Sequence, residues 1–129
     1  MFEYLRRITE MTEKVWKNRI KKDCVALGTY KPEFETVIDS LSRIMAQRDA
    51  TFEQFVKEGS HILVIKTFDR GAQNPIKNPL LGVWKEFNDQ AIVYLRELGL
   101  SPKGYKAITD ETMKNQKTDA LAQALKELS

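Results

Sequence analysis

Five cations stand within nine residues, Lys14, Lys17, Arg19, Lys21 and Lys22, and no acid interrupts them. Ammonium and guanidinium groups at this density suit the phosphates of a nucleic acid. Each duplex phosphate neutralised adds roughly 0.9 to the slope of log affinity against log salt. Such contacts place a duplex but do not read its bases. A solvated basic helix face explains the same five residues, and on these residues alone the two readings stand level. Further along, Asp49 to Glu58 holds three acids against one lysine. The net charge of +3 therefore says less than its concentration near the N-terminus.

Other chemistry finds no footing. His61 is the one histidine, and a catalytic pair or a metal site needs convergent partners that its neighbours do not supply. Cys24 is the one cysteine, so neither an internal disulfide nor a cysteine metal cluster is possible. Beside Asp23 its thiolate is disfavoured, and it reads as a half-buried apolar residue. Gly71, Ala72 and Asn74 do not reproduce the Gly-x-x-x-x-Gly-Lys-Ser/Thr phosphate loop. Glu33 with Glu35, and Asp110 with Glu111, are explained by solvated faces. The chain reads as a non-enzyme, with no catalytic residue, cofactor or metal.

The elements that must position the cations follow from apolar spacing. The chain has 129 residues, 42% apolar and 30% charged, which fits one folded domain rather than a disordered chain. No run of about 18 apolar residues marks a membrane span. Charges in Met1 to Arg7 occupy the place of a signal peptide's apolar stretch, and a lone cysteine fits a reducing cytoplasm.

Residues 1–31 read as a basic N-terminal helix with Leu5, Ile8, Thr12, Val15, Trp16 and Ile20 on one face. Trp16 belongs to that apolar stripe rather than to a base-stacking platform. Gly28 ends the helix, and Pro32 opens the next. Residues 32–59 read as one long helix, roughly 40 Å in length, whose apolar repeat runs from Phe34 to Val56. That length calls for cover from another chain. The rival is a break near Asp49, with Thr51 and Gln54 as a capping box. Residues 60–77 are loop and extended segment: Asp69-Arg70-Gly71 and Asn74-Pro75 mark loop, and a β-prone run His61 to Thr67 must pair with something, such as a neighbouring subunit.

Residues 78–108 predict a helix–turn–helix corner. Asn78 caps, Pro79 takes the first helical position, and Leu80, Trp84, Phe87, Ala91, Tyr94, Leu95 and Leu98 form the stripe. Gly99 terminates it, and Ser101-Pro102 starts the next helix. As a DNA-reading motif this corner would rely on Lys103 and Lys106, but Gly104 in the first turn suits a simple helix corner better. Thr109 to Lys117 reads as a polar linker or weak helix. Residues 115–129 form a C-terminal helix with Leu121, Leu125 and Leu128 on one side. The fold class is all-α: N-terminal helix, long central helix, C-terminal helical pair and a short extended segment, in an oligomer.

The ordered combination Cys24 to Phe34, Gly71 to Asn74, Lys77-Asn78-Pro79-Leu80-Leu81 and Tyr94-Leu95-Arg96-Glu97-Leu98-Gly99-Leu100-Ser101-Pro102 resembles the small subunit of tailed-phage and prophage terminases. Tyr105 and Lys106 stand where that family commonly carries an arginine. The resemblance implies a homo-oligomeric ring, double-stranded viral DNA as ligand, and regulation of a large subunit that holds the ATPase and nuclease. It also implies residence in the cytoplasm of a bacterial host, with no membrane partner. On this expectation Lys14, Lys17, Arg19, Lys21 and Lys22 meet the DNA, and Leu121, Leu125 and Leu128 meet the large subunit. The alternatives are a helical oligomeric adaptor or phage structural protein without DNA binding, and a helix-turn-helix transcriptional regulator using Lys103 and Lys106.

Overall fold

Glycine and proline punctuate this chain where its elements change. The structure, a computed structural model, describes residues 2–128 except the side chains of Phe2, Tyr4, Leu5 and Ile8; the apolar positions expected at Leu5 and Ile8 lie outside the described residues. Helix α1 spans Phe2–Leu27, a 3-10 turn Pro32–Phe34 leads into α2, Glu35–Lys57, and strands β1, Leu63–Thr67, and β2, Gln73–Lys77, follow. Helices α3, Pro79–Glu97, and α4, Pro102–Glu127, complete the order. The chain is predominantly helical, as its apolar spacing predicts.

Helix α2 is the axis of the packing, with α1 against one side and α3 against the other. Ile38, Leu41 and Met45 of α2 meet Ile20 and Cys24 of α1 and Ala91 of α3 in one cluster, which Leu98 closes. Burying side chains of this size removes about 1.5–3 kcal/mol of exposure cost each. The long helix thus finds most of its cover within its own chain. It also runs unbroken through Asp49: Thr51 Oγ1 donates back to the Gln47 carbonyl at 2.8 Å instead of capping a new helix. Phe52 and Val56, near its C-terminal end, remain half-exposed.

Two positions depart from the expected α1 stripe. Val15 faces solvent at 65% exposure, whereas Cys24 is wholly buried. Helix α1 crosses α2 so that the buried line passes through Trp16, Ile20 and Cys24, and Val15 falls off it.

The extended segment does find a partner, and it is its own chain. β1 pairs antiparallel with β2, Leu63 opposite Lys77 and Ile65 opposite Pro75. Asn74 and Pro75, read from sequence as loop, lie inside β2. The reason is the alternation of an antiparallel ladder. Asn78 N–H donates to the Ile62 carbonyl at 2.7 Å and Phe68 N–H to the Ala72 carbonyl at 2.8 Å. Pairs two apart share this bonding, so the Ile65–Pro75 pair turns its backbone groups outward. Pro75 therefore sits where its missing N–H leaves no gap in the ladder. Asn78 fastens this hairpin to α3: its side chain caps Leu80 N–H at 3.0 Å and donates to the His61 carbonyl at 3.0 Å.

The α3–α4 corner is built by close approach. Gly99 has φ +74°, a Cβ there would crowd Ile108 and Thr29, and Leu100 N–H returns to the Leu95 carbonyl at 2.9 Å. Ser101 Oγ caps the next helix by accepting from Gly104 N–H at 3.0 Å. A Cβ on Gly104 would lie 2.1 Å from the Arg96 carbonyl oxygen, so this glycine exists to let α4 cross α3. Its presence in a first helical turn needs no recognition role.

Of the two readings of residues 109–117, linker or weak helix, the structure has helix, and it runs on without a break into the segment expected as a separate C-terminal helix. α4 is continuous over 26 residues. Thr109, Thr112 and Thr118 donate their hydroxyls to carbonyls four residues back, within the helix itself. Lysine, glutamate, glutamine, methionine and alanine, all strong helix formers, supply most of the rest. Every residue from 110 to 128 is exposed.

Candidate nucleic-acid interface

The five cations near the N-terminus all lie on α1, but the fold divides them. At 3.6 residues per turn, Lys17 and Lys21 fall beside the line that packs on α2. Lys17 Nζ lies 2.7 Å from Asp39 Oδ1 and 3.9 Å from Glu35 Oε2. Lys21 Nζ lies 2.9 Å from Glu35 Oε1 and 5.2 Å from the Tyr30 ring. Tyr30 also donates its hydroxyl to Glu35. The hydrogen bond that Lys17 donates to Asp39 raises the Lys17 pKa, and the one that Lys21 donates to Glu35 raises the Lys21 pKa. Glu35 is correspondingly lowered, first by the Tyr30 hydroxyl and then by Lys21. These are surface ion pairs, individually weak and screened by salt, that set a carboxylate beside each of the two lysines.

Arg19 is engaged differently. Its guanidinium lies 5.2 Å from the Trp16 ring, which Arg48 approaches at 5.8 Å. Trp16 itself packs on the core and donates Nε1–H to Asp49 at 2.7 Å. Arg48 reaches Asn88 on α3 at 3.1 Å, so this cluster ties α1, α2 and α3 together. Trp16 is thereby a packing residue with its polar atom satisfied. Arg19 keeps its charge at the surface.

Lys14 and Lys22 have no ion-pair partner among the described residues and are exposed. Of the five cations read together in the sequence, these two, with Arg19, face outward unneutralised. Exposed Met11, Val15 and Val25 lie between and beside them.

Leu121, Leu125 and Leu128 are brought together as expected, at 63%, 59% and 85% exposure on one side of α4. What sequence reasoning missed is the face on which they lie. Because 109–117 is helical, Lys103, Lys106, Lys114 and Lys117 line up on the same side, within roughly 60° of a common line at 100° per residue. All four are exposed. The signal was present in the spacing: Lys103 and Lys114, and Lys106 and Lys117, are each eleven residues apart.

Burial pushes the Cys24 thiol upward, which opposes thiolate formation. No group of three or more His, Cys, Asp or Glu able to hold a metal occurs among the described residues. None of the described helices is long and apolar enough to cross a membrane.

A family described as phage terminase, small subunit, matches the chain over residues 12–115. The match includes the α1 cations, both strands, Asn78-Pro79 and the Gly99 turn, and ends within α4 before Lys117 and the three leucines. No curated protein and no solved structure matches the chain.

Proposed function

Because the chain belongs to the phage terminase small-subunit family, we propose that it is the non-catalytic DNA-recognition and regulatory subunit of a phage packaging terminase. It binds double-stranded viral DNA as a homo-oligomeric ring and presents it to the large ATPase and nuclease subunit. The family match over residues 12–115 carries this reading. The work is done in the cytoplasm of the bacterial host.

Two features of the chain support it. Exposed apolar residues are numerous on α1, on the C-terminal end of α2, on the hairpin and on α3, including Met11, Val15, Phe52, Ile65 and Val93. Assembly into a ring would give these side chains neighbouring chains to pack against. β1 also keeps an open outer edge at Leu63, Ile65 and Thr67, while Pro75 blunts the edge of β2.

On α1, Lys14, Lys22 and Arg19 make the phosphate contacts, with Lys17 and Lys21 contributing less through their ion pairs. A ring multiplies such weak contacts by holding many on one duplex. Leu121, Leu125 and Leu128 bind the large subunit. Replacing all three by glutamine is expected to abolish large-subunit capture while leaving the oligomer intact; unchanged capture refutes that assignment.

Light scattering with and without duplex DNA, at low and moderate salt, tests the whole. The expected result is a discrete mass, several times 14.9 kDa, that takes up DNA with a steep salt dependence. A monomer overturns the ring. A discrete oligomer that ignores DNA at every salt concentration points to a helical adaptor without DNA binding.

A further inference from the structure

Helix α4 presents an unusual surface for its length. From residue 110 onward nothing of it is buried, so its side chains there are not chosen for packing. Helices without a packed face are marginal in water and owe their sequence to solubility or to a partner. Along its outward side the order is Lys103, Lys106, Asp110, Lys114, Lys117 and then Leu121. None of the four lysines has an ion-pair partner among the described residues. Neighbouring helices supply no carboxylate to them, in contrast to the neutralised lysines of α1.

The spacing is informative. Lys103 with Lys106 forms one pair, and Lys114 with Lys117 repeats it eleven residues later. Eleven residues are about three turns, so the second pair lies almost directly above the first, about 16 Å along the axis. The major groove of duplex DNA is about 12 Å wide, with a phosphate wall on each side. Two flexible ammonium pairs about 16 Å apart reach both walls at once, one pair to each. Asp110 falls midway, over the groove mouth, where it is furthest from both rows of phosphates. An acid there opposes seating the helix directly on one strand, and lysines spread to the two walls meet phosphates, which carry no sequence information.

We propose that α4 is a second DNA-binding element of this chain: a phosphate clamp in which Lys103 and Lys106 hold one wall of the major groove, and Lys114 and Lys117 the other, without reading sequence. The inference rests on the proposed binding of double-stranded DNA. It also places the DNA-contacting lysines and the proposed large-subunit leucines on one continuous stripe, so DNA held by α4 lies beside the docked partner.

The test is fluorescence anisotropy of the full chain on two unrelated duplexes of about 25 base pairs, across roughly 50–200 mM salt. The wild type is compared with Lys103→Gln/Lys106→Gln/Lys114→Gln/Lys117→Gln, with the two half-variants, and with the four lysines changed to arginine. Glutamine and arginine are as helix-favouring as lysine, and far-UV circular dichroism checks that the helix persists. Loss of four phosphate contacts lowers the salt slope by about 3.6 per chain, and each half-variant lowers it by about half of that. The arginine variant retains the wild-type slope, and both duplexes respond alike. A wild type that binds with an unchanged slope in the fourfold variant refutes the clamp and leaves the DNA-binding reading standing. A wild type that binds neither duplex at low salt removes both. A loss confined to one duplex replaces the clamp by base readout, and failure of the arginine variant to bind shows that charge is not what these positions supply.

Discussion

Helices α1 and α4 are each 26 residues long and each carries a row of cations, yet the fold treats them in opposite ways. α1 lies against α2, which offers Glu35 and Asp39 to Lys17 and Lys21 and the Trp16 cluster to Arg19. α4 leaves the body after its first turns and keeps all four of its outward lysines unpaired among the described residues. In the sequence the α1 cations are denser. In the structure the α4 cations are more available. Charge density along a chain therefore measures potential for phosphate binding, and the neighbouring helix decides how much of it survives.

The contrast in anchoring can be broken most strongly in the core. Leu41→Ala removes a wholly buried side chain beneath α1 and α3 and is expected to cost about 2–5 kcal/mol in denaturant unfolding. Leu125→Ala, on the unpacked part of α4, should stay within about 0.5 kcal/mol of the parent. Equal losses would show that α4 is packed in solution.

Next comes the junction. Gly104→Ala puts a Cβ 2.1 Å from the Arg96 carbonyl oxygen, so α3 and α4 must separate. An expected loss of about 1–3 kcal/mol, measured by chemical denaturation, marks overpacking at this crossing. No loss would mean that α4 is not seated on α3 as the structure has it.

A smaller effect sharpens the comparison within α1. Lys14→Gln with Lys22→Gln should lower the salt slope of duplex binding by about 1.8. Lys17→Gln with Lys21→Gln should lower it less, because those ammonium groups are held by Asp39 and Glu35. A larger fall from the second pair would mean that DNA draws the two lysines out of their ion pairs.

The smallest effect is in pH. Glu35 is lowered from its ordinary 4.5, so the stability it contributes is present above that value and fades as pH falls through the lower, folded value. Glu35→Gln should therefore melt below the parent near about pH 7, with the gap closing under strongly acid conditions. A gap that stays constant with pH would show that the carboxylate charge is not what holds α1 to α2 there.

Much of this fold can be read from apolar spacing and caps. Gly28, the Asn78-Pro79 start and the Gly99-Leu100-Ser101-Pro102 corner lie at element boundaries because each supplies a backbone conformation or a capping atom that the position requires. Pairing was less legible. Asn74-Pro75 reads as loop, yet the ladder places Pro75 at a position that needs no inward N–H. Thr109 to Lys117 lacks an apolar stripe, so periodicity could not distinguish an exposed helix from a linker. The α1 cations stood out because they are contiguous, whereas their neutralisation by Glu35 and Asp39 depends on a helix crossing that no local pattern encodes. The α4 lysines were hidden by the opposite fault, since their alignment appears only once the helix is known to be continuous.

The central claim is that duplex DNA meets the lysines the fold leaves free. Lysine-selective acetylation of the intact protein, with and without duplex DNA and read by peptide mass spectrometry, examines it directly. The account predicts that Lys103, Lys106, Lys114 and Lys117 lose most reactivity on DNA addition and Lys14 and Lys22 lose some. Lys85, paired with Asp89 at 2.9 Å, is expected to be unaltered. Protection confined to Lys17 and Lys21, or no protection at any lysine, would contradict it.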